Sequence, residues 1–362
     1  MMDRAGAARV ARPRVVTVNL DAPSRDAHEI GTLEFAAGRL AALFARPSGE
    51  GPAHDGIVFY LPGDTLCTED ARALEIAGAS DFWGGIVPHP FVATKLVSHP
   101  LVSDGASSPP GWTPVPGIVA CTLPGYSVFS AGDALEAAAR LLEAGPFRVK
   151  APHARGGHGQ VLFRDLPTLE AWLAATGEAV VRSGFVLELD LPEATTYSIG
   201  SASLRGMELA YHGQQRLTFD RHGQPVYGGS RLRFRRGDLA GLQASLVGEL
   251  SRLARLALAY DHAVGSAYGV IATRRNYDVI AGLDARGLSR AGVLEQSWRF
   301  GGASMAEILA FEHFHEHPQA EWVTAETVEL HDSGEIPAGA IVHWPGDAGS
   351  PCKYARIVDD GC

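Results

Sequence analysis

Residues Phe147–Phe163 read FRVKAPHARGGHGQVLF. Two short apolar runs, Phe147–Lys150 and Gln160–Phe163, flank the glycine-rich loop Ala154–Gly159, so the loop joins strand to strand rather than strand to helix. Consecutive glycines let backbone N–H groups approach a phosphate closely, and Lys150 adds a point charge at the loop's entrance. The segment is not a Walker loop, because GxxxxGK[ST] does not occur. Nor is it a dinucleotide fingerprint: Gly157 and Gly159 align with the first two glycines, but Leu162 takes the place of the third. Taken alone, the stretch also reads as a plain hairpin.

Upstream, Ala131–Ala144 (AGDALEAAARLLEA) predicts a helix stopped by Gly145, and Ile118–Thr122 predicts a strand. The prolines and glycines of Ser103–Pro116 (SDGASSPPGWTPVP) mark a linker. Before it, Arg14–Leu20 and Gly56–Leu61 read as buried strands around an amphipathic helix at Glu29–Arg46, the pattern of a parallel α/β layer. Downstream come a helix at Leu166–Ala175, a strand at Gly184–Leu189, and a strand-rich region over Thr195–Phe234 with turns at Asp220–Gly223 and Tyr227–Ser230. One long helix is predicted over Asp238–Tyr260, then a hairpin of Tyr277–Leu283 and Gly292–Trp298, then a helix over Met305–Phe314.

The second strand of that hairpin runs into Glu295–Gly302, EQSWRFGG. Glu295, Ser297 and Arg299 share a strand face at period two, and Asp278 lies on the partner strand. Two carboxylates on one hairpin suit Mg²⁺, which prefers carboxylate and phosphate oxygens. Arg299 has the planar fork that clamps a phosphoryl or carboxylate group. A surface ion pair between Glu295 and Arg299 is the plainer alternative.

Composition narrows the function. The chain has 362 residues, 46% of them hydrophobic, and a net charge of −10 from 31 Lys+Arg against 41 Asp+Glu. That length predicts two or three packed units. The acidic balance argues against a nucleic-acid partner, and no apolar run is long enough to span a membrane. The start, MMDRAGAARVARPRVV, lacks the apolar core of a secretory signal. Four scattered cysteines without a CxxC fit a reduced, cytoplasmic setting.

The order of these features resembles the ATP-grasp superfamily over about Phe91–Ser304, with Pro124–Leu191 the closest stretch, and within it the biotin-carboxylase-like members. The resemblance implies an α/β and α+β fold: an N-terminal pre-ATP-grasp α/β domain with linker (1–117), a small lobe with a glycine-rich lid (118–192), and a large lobe with the metal site (193–362). It implies ATP and Mg²⁺ as cofactors, and a small-molecule carboxylate and a nucleophile as partners. Lys95 and Lys150 match the lysines that contact phosphates, and Gly156, Gly157 and Gly159 the lid. Glu188 and Leu191 fall where the hinge reads adenine and sugar, and Asp278 and Glu295 match the metal carboxylates. Ser297 stands where the family usually has Asn as a further metal ligand, and Arg299 matches the arginine that steadies the transferred phosphate. The family's Glu-x-Asn-Pro-Arg thus reads Glu-Gln-Ser-Trp-Arg, and Thr196 replaces a residue that is acidic in many relatives.

The implied activity is that of an ATP-dependent ligase that turns a carboxylate into an acyl phosphate. A phosphotransferase on the same fold, a nucleotide-binding regulator and an interaction protein are the alternatives. His313, His315 and His317 read as exposed helix-end residues, since i and i+2 diverge on a helix. Arg231–Arg236 (RLRFRR) reads as a solvated edge strand, and Cys67 and Cys121 as inert core thiols.

Overall fold

The computed structural model describes residues 14–20, 26–45, 58–153, 159–220, 223, 225–331, 334–347 and 350–358. Arg14–Val18 (β1) and Val58–Pro62 (β2) pair in parallel, with the helix Ala27–Phe44 (α1) between them in sequence. Parallel pairing requires such a crossover. α1 buries Leu33, Ala36, Leu40 and Phe44, one stripe at helical spacing. That stripe shares a single core with Trp83, Leu232, Phe234, Phe311 and Phe314. The N-terminal α/β unit is therefore fused to the C-terminal half of the chain through common packing. Leu66–Cys67 (β3), the short helix Thr68–Ala73 (α2) and Gly85–Val87 (β4) follow, and then 3₁₀ turns at Pro90–Ala93 and Lys95–Ser98.

Ser103–Pro116 has no helix or strand, as its composition predicts, but it is packed. Trp112 stacks on Phe91 and meets Phe129 edge-on, both at 5.5 Å, and Thr113 exchanges two hydrogen bonds with the Tyr268 hydroxyl. Ile118–Ala120 forms a 3₁₀ turn instead of the expected strand. Gly117 enters it at φ 79°, and the Thr122 hydroxyl donates back to the Ile118 carbonyl.

The small lobe is built from Gly125–Val128 (β5), Ala131–Leu142 (α3), Phe147–Lys150 (β6), Gln160–Phe163 (β7), Leu166–Thr176 (α4), Glu178–Ser183 (α5) and Phe185–Leu189 (β8). Its strands form an antiparallel sheet in the order β5-β8-β6-β7. Ser130 and Asp165 cap α3 and α4 by accepting from N3 amides. Val128, Ala138, Phe147, Phe163, Leu169 and Leu187 give the lobe its own core.

Glu193–Leu204 (β9), Met207–Phe219 (β10) and Pro225–Arg236 (β11) open the large lobe. Leu239–Ser245 (α6), Gly248–Tyr268 (α7) and Ile271–Ala272 (β12) follow, then the hairpin Arg274–Leu283 (β13) and Ser289–Ser297 (β14). Ser304–Glu316 (α8), Trp322–Leu330 (β15), Ile341–Trp344 (β16) and Cys352–Val358 (β17) complete the chain. Eight strands make one antiparallel sheet in the order β14-β13-β9-β10-β11-β15-β17-β16, while β12, β4 and β3 form a small separate sheet. One face of the large sheet carries Leu209, Tyr211, Leu232, Phe234 and Ala325 against α1 and α8. The other carries Ile199, Ala210, Tyr277, Val279 and Val293 against α6 and α7.

Three expectations change here. The long helix is two, because Leu246 and Val247 are extended and Gly248 starts α7 at φ 60°. Tyr227–Ser230 is not a turn: β11 runs through it, and Gly228 is the residue left over where the β10–β11 register shifts. Arg231–Arg236 lies on a central strand, not an edge, and the Arg233 and Arg235 guanidinium groups stack over Trp322 at 4.7 and 5.6 Å. An α/β N-terminal unit, a four-stranded antiparallel sheet and an eight-stranded antiparallel sheet match the kind of mixed α/β and α+β fold expected from the sequence. Among the described residues no helix is long and apolar enough to cross a membrane.

The seam between α1 and β16 carries a titration signature. Burial, reinforced by Lys353, pushes the His343 imidazole down to about 4 from its ordinary 6.5. Below pH 6.5 the unfolded chain takes up a proton that the folded chain refuses until about 4. Stability is therefore full above 6.5 and falls by about 3 kcal/mol between there and pH 4. Urea midpoints of the natural protein and His343→Leu, compared at pH 7 and pH 4.5, should show a shallower acid loss in the variant.

Candidate functional site

The five residues Lys95–His99 (KLVSH) connect the two lobes by their side chains. At one end the Lys95 ammonium lies 2.8 Å from Glu295 Oε2, on β14 of the large sheet. At the other, His99 Nε2 lies 3.0 Å from Glu188 Oε2, on β8 of the small lobe. The second Glu188 oxygen accepts from Lys150, at the end of β6. Lys95, His99, Lys150 and Glu188 are all buried. A 3₁₀ segment rises about 2 Å per residue, which keeps the two ends within about 8–10 Å along the backbone. The walls carrying Lys150 and Glu295 are thus tied to one short segment.

Polar contacts with both lobes fix that segment in place. The Gln296 amide donates to the carbonyls of Val92 and Thr94 at 3.1 and 2.7 Å, just ahead of Lys95. Gln296 Oε1 accepts from the Tyr260 hydroxyl, which lies 3.0 Å from Ser98 Oγ. From the small lobe, the Ser127 hydroxyl donates to the Leu96 carbonyl at 2.5 Å. Gly125 leaves room for the His99 ring: a Cβ there would sit 2.7 Å from the imidazole.

Asp278 and Glu295 face each other across the β13–β14 hairpin, where a bulge follows Asp278. The 17 positions between them in sequence are absorbed by the hairpin's length. Asp278 Oδ1 accepts from the Asn276 and Gln215 amides at 3.0 and 2.7 Å. Burial and the Glu295 carboxylate raise Asp278 to about 7, against the pull of those amides. Glu188 moves the other way. Burial works to raise it, but Lys150 and His99 outweigh burial and hold its pKa below the usual carboxylate range.

Ser297 lies opposite Asn276 in the hairpin. Arg299 donates to the Phe300 carbonyl at 2.9 Å. Beneath this turn is a fully buried ion pair, Arg274 Nε to Glu307 Oε2 at 2.7 Å. Arg274 also donates through Nη1 to the carbonyls of Ser297 and Arg299, so it holds the backbone on which both candidate groups stand. The Tyr211 hydroxyl donates to Glu307 at 2.6 Å and lies 3.0 Å from Asn276 Oδ1, which links the ion pair to the amide on Asp278. Gly200 makes room for this network, since a Cβ would lie 2.5 Å from the Tyr211 hydroxyl.

The structure therefore links Lys95 to Glu295, with Asp278 facing Glu295 and Ser297 two residues on, and links Lys150 to Glu188 at the other end of the segment. Glu188 is occupied on both oxygens by Lys150 and His99, so its side chain serves the lysine rather than a hinge contact in this state. Leu191 is buried just beyond β8. Gly159 lies just before β7 with φ 66°, while Gly156 and Gly157 fall outside the described residues. His99, Gln215, Arg274, Asn276, Gln296 and Glu307 escaped the sequence reading. Only Asn276 and Gln296 carry a signal, as neighbours of Asp278 and Glu295 on the same strands. The helix-end histidines stay apart from the site, with His313 and His317 stacked at 4.3 Å.

The two carboxylates suit Mg²⁺, which takes one or two protein carboxylates and completes its octahedron with phosphate oxygens and water. Among the described residues no group of three or more His, Cys, Asp or Glu could hold a metal unaided.

Residues 15–355 match the family described as "Protein of unknown function (DUF3182)", and the chain belongs to it. No curated protein matches the chain. Among solved structures it is similar to a biotin carboxylase–βγ-ATP complex from Campylobacter jejuni, at 12% identity over 90% of this chain and 74% of that one, with a TM-score of 0.48. It is also similar to the biotin carboxylase domain dimer of Hydrogenobacter thermophilus 2-oxoglutarate carboxylase, in complex with MgADP, ADP and bicarbonate. There the identity is 15% over 80% of this chain and 67% of that one, with a TM-score of 0.45. An N5-carboxyaminoimidazole synthetase from Staphylococcus aureus, complexed with ADP, is 12% identical over 66% of this chain, with a TM-score of 0.40. The chain spans 64% of that synthetase, under two thirds of its length.

The buried ion pair under the Ser297–Arg299 turn yields a stability test. Glu307→Ala leaves the Arg274 guanidinium without its counter-charge, at a cost of about 3–5 kcal/mol. Chemical denaturation should show that loss, and Arg274→Met combined with Glu307→Leu should recover most of it.

Proposed function

We propose that this protein is an ATP- and Mg²⁺-dependent ligase that activates a carboxylate as an acyl phosphate for attack by an amine, thiol or similar nucleophile. The observation that carries the reading is the double anchorage of Lys95–His99. One end of the segment meets Glu295, of the proposed metal pair, and the other meets Glu188, the partner of the phosphate-type Lys150.

A carboxylate is a poor electrophile, and transfer of the γ-phosphoryl group supplies it with a leaving group. Catalysis of such a transfer is chiefly positioning and charge neutralisation. Asp278 and Glu295 would hold Mg²⁺, which offsets charge on the phosphates when bound. Lys150, kept extended by Glu188, faces the nucleotide from the small lobe. Arg299, on a backbone pinned by Arg274, clamps the transferred group, and such contacts gain strength where water is excluded. In this reading Ser297 offers a hydroxyl where the family's Asn offers an amide oxygen.

Calorimetric titration with ATP, with and without Mg²⁺, tests nucleotide binding. Product analysis over a panel of carboxylates and amines tests the reaction. ADP, free phosphate and a new amide or thioester bond support a ligase, whereas ADP with a stable phosphorylated product makes it a phosphotransferase. Lys150→Ala should weaken ATP binding by about 1.5–3 kcal/mol, the worth of a charged hydrogen bond. Glu295→Gln should abolish Mg²⁺-dependent phosphate release while leaving the circular dichroism spectrum unchanged.

A further inference from the structure

Lys95 sits where it competes with the metal. Its ammonium is buried and lies 2.8 Å from Glu295 Oε2, beside Asp278 across the hairpin. A Mg²⁺ ion takes carboxylate oxygens at about 2.0–2.1 Å. An ammonium and a divalent ion cannot both sit against one carboxylate at such distances without strong like-charge repulsion in a partly buried setting. The backbone that carries the lysine is held on both sides: the Gln296 amide donates to the carbonyls of Val92 and Thr94, and the Leu96 carbonyl accepts from Ser127, so the ammonium sits at Glu295 from a fixed base. The acid pair is thus partly neutralised by a cation the chain supplies itself.

We infer that Lys95 is a resident counter-ion that keeps divalent metal off Glu295 until a nucleotide arrives. Phosphate oxygens then offer the ammonium an equivalent partner, Glu295 is released, and metal and nucleotide bind as one unit. Charge accounts for the order. Two carboxylates with one ammonium leave a site too weakly negative, and too crowded, for Mg²⁺ alone. The same two carboxylates beside a phosphate chain accommodate both cations. No bond is made or broken in this exchange. The inference rests on the nucleotide site proposed above and adds a residue-level order of binding to it.

Mn²⁺ as a paramagnetic probe tests it without turnover, by loss of the free-ion resonance on titrating the full-length protein. Wild type should bind Mn²⁺ strongly only when ADP is present. Lys95→Met should bind Mn²⁺ without nucleotide at least about tenfold more tightly than wild type. The variant should also melt at lower temperature, having lost the counter-charge, and Mn²⁺ alone should restore its melting point. Lys95→Arg, which keeps the cation, should still exclude the metal, so a fold defect in the methionine variant cannot imitate the result. Equal Mn²⁺ affinity without nucleotide in wild type and Lys95→Met overturns the counter-ion role, even if ADP strengthens binding in both. Absence of Mn²⁺–ADP binding in wild type overturns the nucleotide site itself.

Discussion

Two acids from different lobes, Glu295 and Glu188, are met by opposite ends of one five-residue segment, and the candidate site depends on that arrangement. An uncompensated buried carboxylate costs several kcal/mol, and in practice it takes up a proton or finds a cation. Glu188 remains ionised although buried because Lys150 and His99 face it. Its negative charge in turn holds Lys150 in place at the end of β6. Glu295 is similarly matched by Lys95. Moving the segment would take Lys95 from Glu295 and His99 from Glu188 at once, so the placement of the lobes and the polar pairing of the candidate site are a single constraint.

The large sheet shows how the site is placed without disturbing the core. On the face toward α1 and α8, the strands carry Ala202 and Leu204 of β9, Leu209 and Tyr211 of β10, and Leu232 and Phe234 of β11. Farther along the same strands and the same face come Ser198, Gln215 and Ser230, with Asp278 on β13 beside Ser198. Side chains alternate at period two, so one face of one strand can be apolar under a helix and polar beyond it. Tyr211 lies at the junction, its ring in the core and its hydroxyl on Glu307. The strands run to 12 or 13 residues because they serve both purposes.

Local pattern made much of this visible in the sequence. The β6–β7 hairpin, the helices α1, α3 and α4 and the Asp278–Glu295 hairpin follow from apolar period, capping residues and turn chemistry. What escaped was decided by distant contacts. The break between α6 and α7 falls at Leu246–Val247, apolar residues that do not punctuate a helical pattern. The glycines of Tyr227–Ser230 suggest a turn, but pairing to both β10 and β15 turns one of them into a bulge inside a strand. The arginines of β11 read as an edge strand's until β15 pairs beyond them and its Trp322, some ninety positions on, supplies a stacking surface for Arg233 and Arg235. His99 and Arg274 have no motif around them, and each gains its meaning from a partner in another element.

That last point bears on the departure of EQSWR from the family pattern. Asparagine at position 297 would place an amide beside the acid pair, and serine there cannot reach as far. In the fold, an amide reaches the pair from the facing strand: Asn276, directly opposite Ser297, donates to Asp278, and Gln215 donates to the same oxygen from β10. The proline missing before Arg299 has a counterpart too. Proline stiffens a chain by fixing φ. Here the turn is stiffened by hydrogen bonds, because Arg274 holds the carbonyls of both Ser297 and Arg299 and is itself locked by Glu307. Contacts from neighbouring strands thus hold this corner, and a reading confined to residues 295–299 misses them.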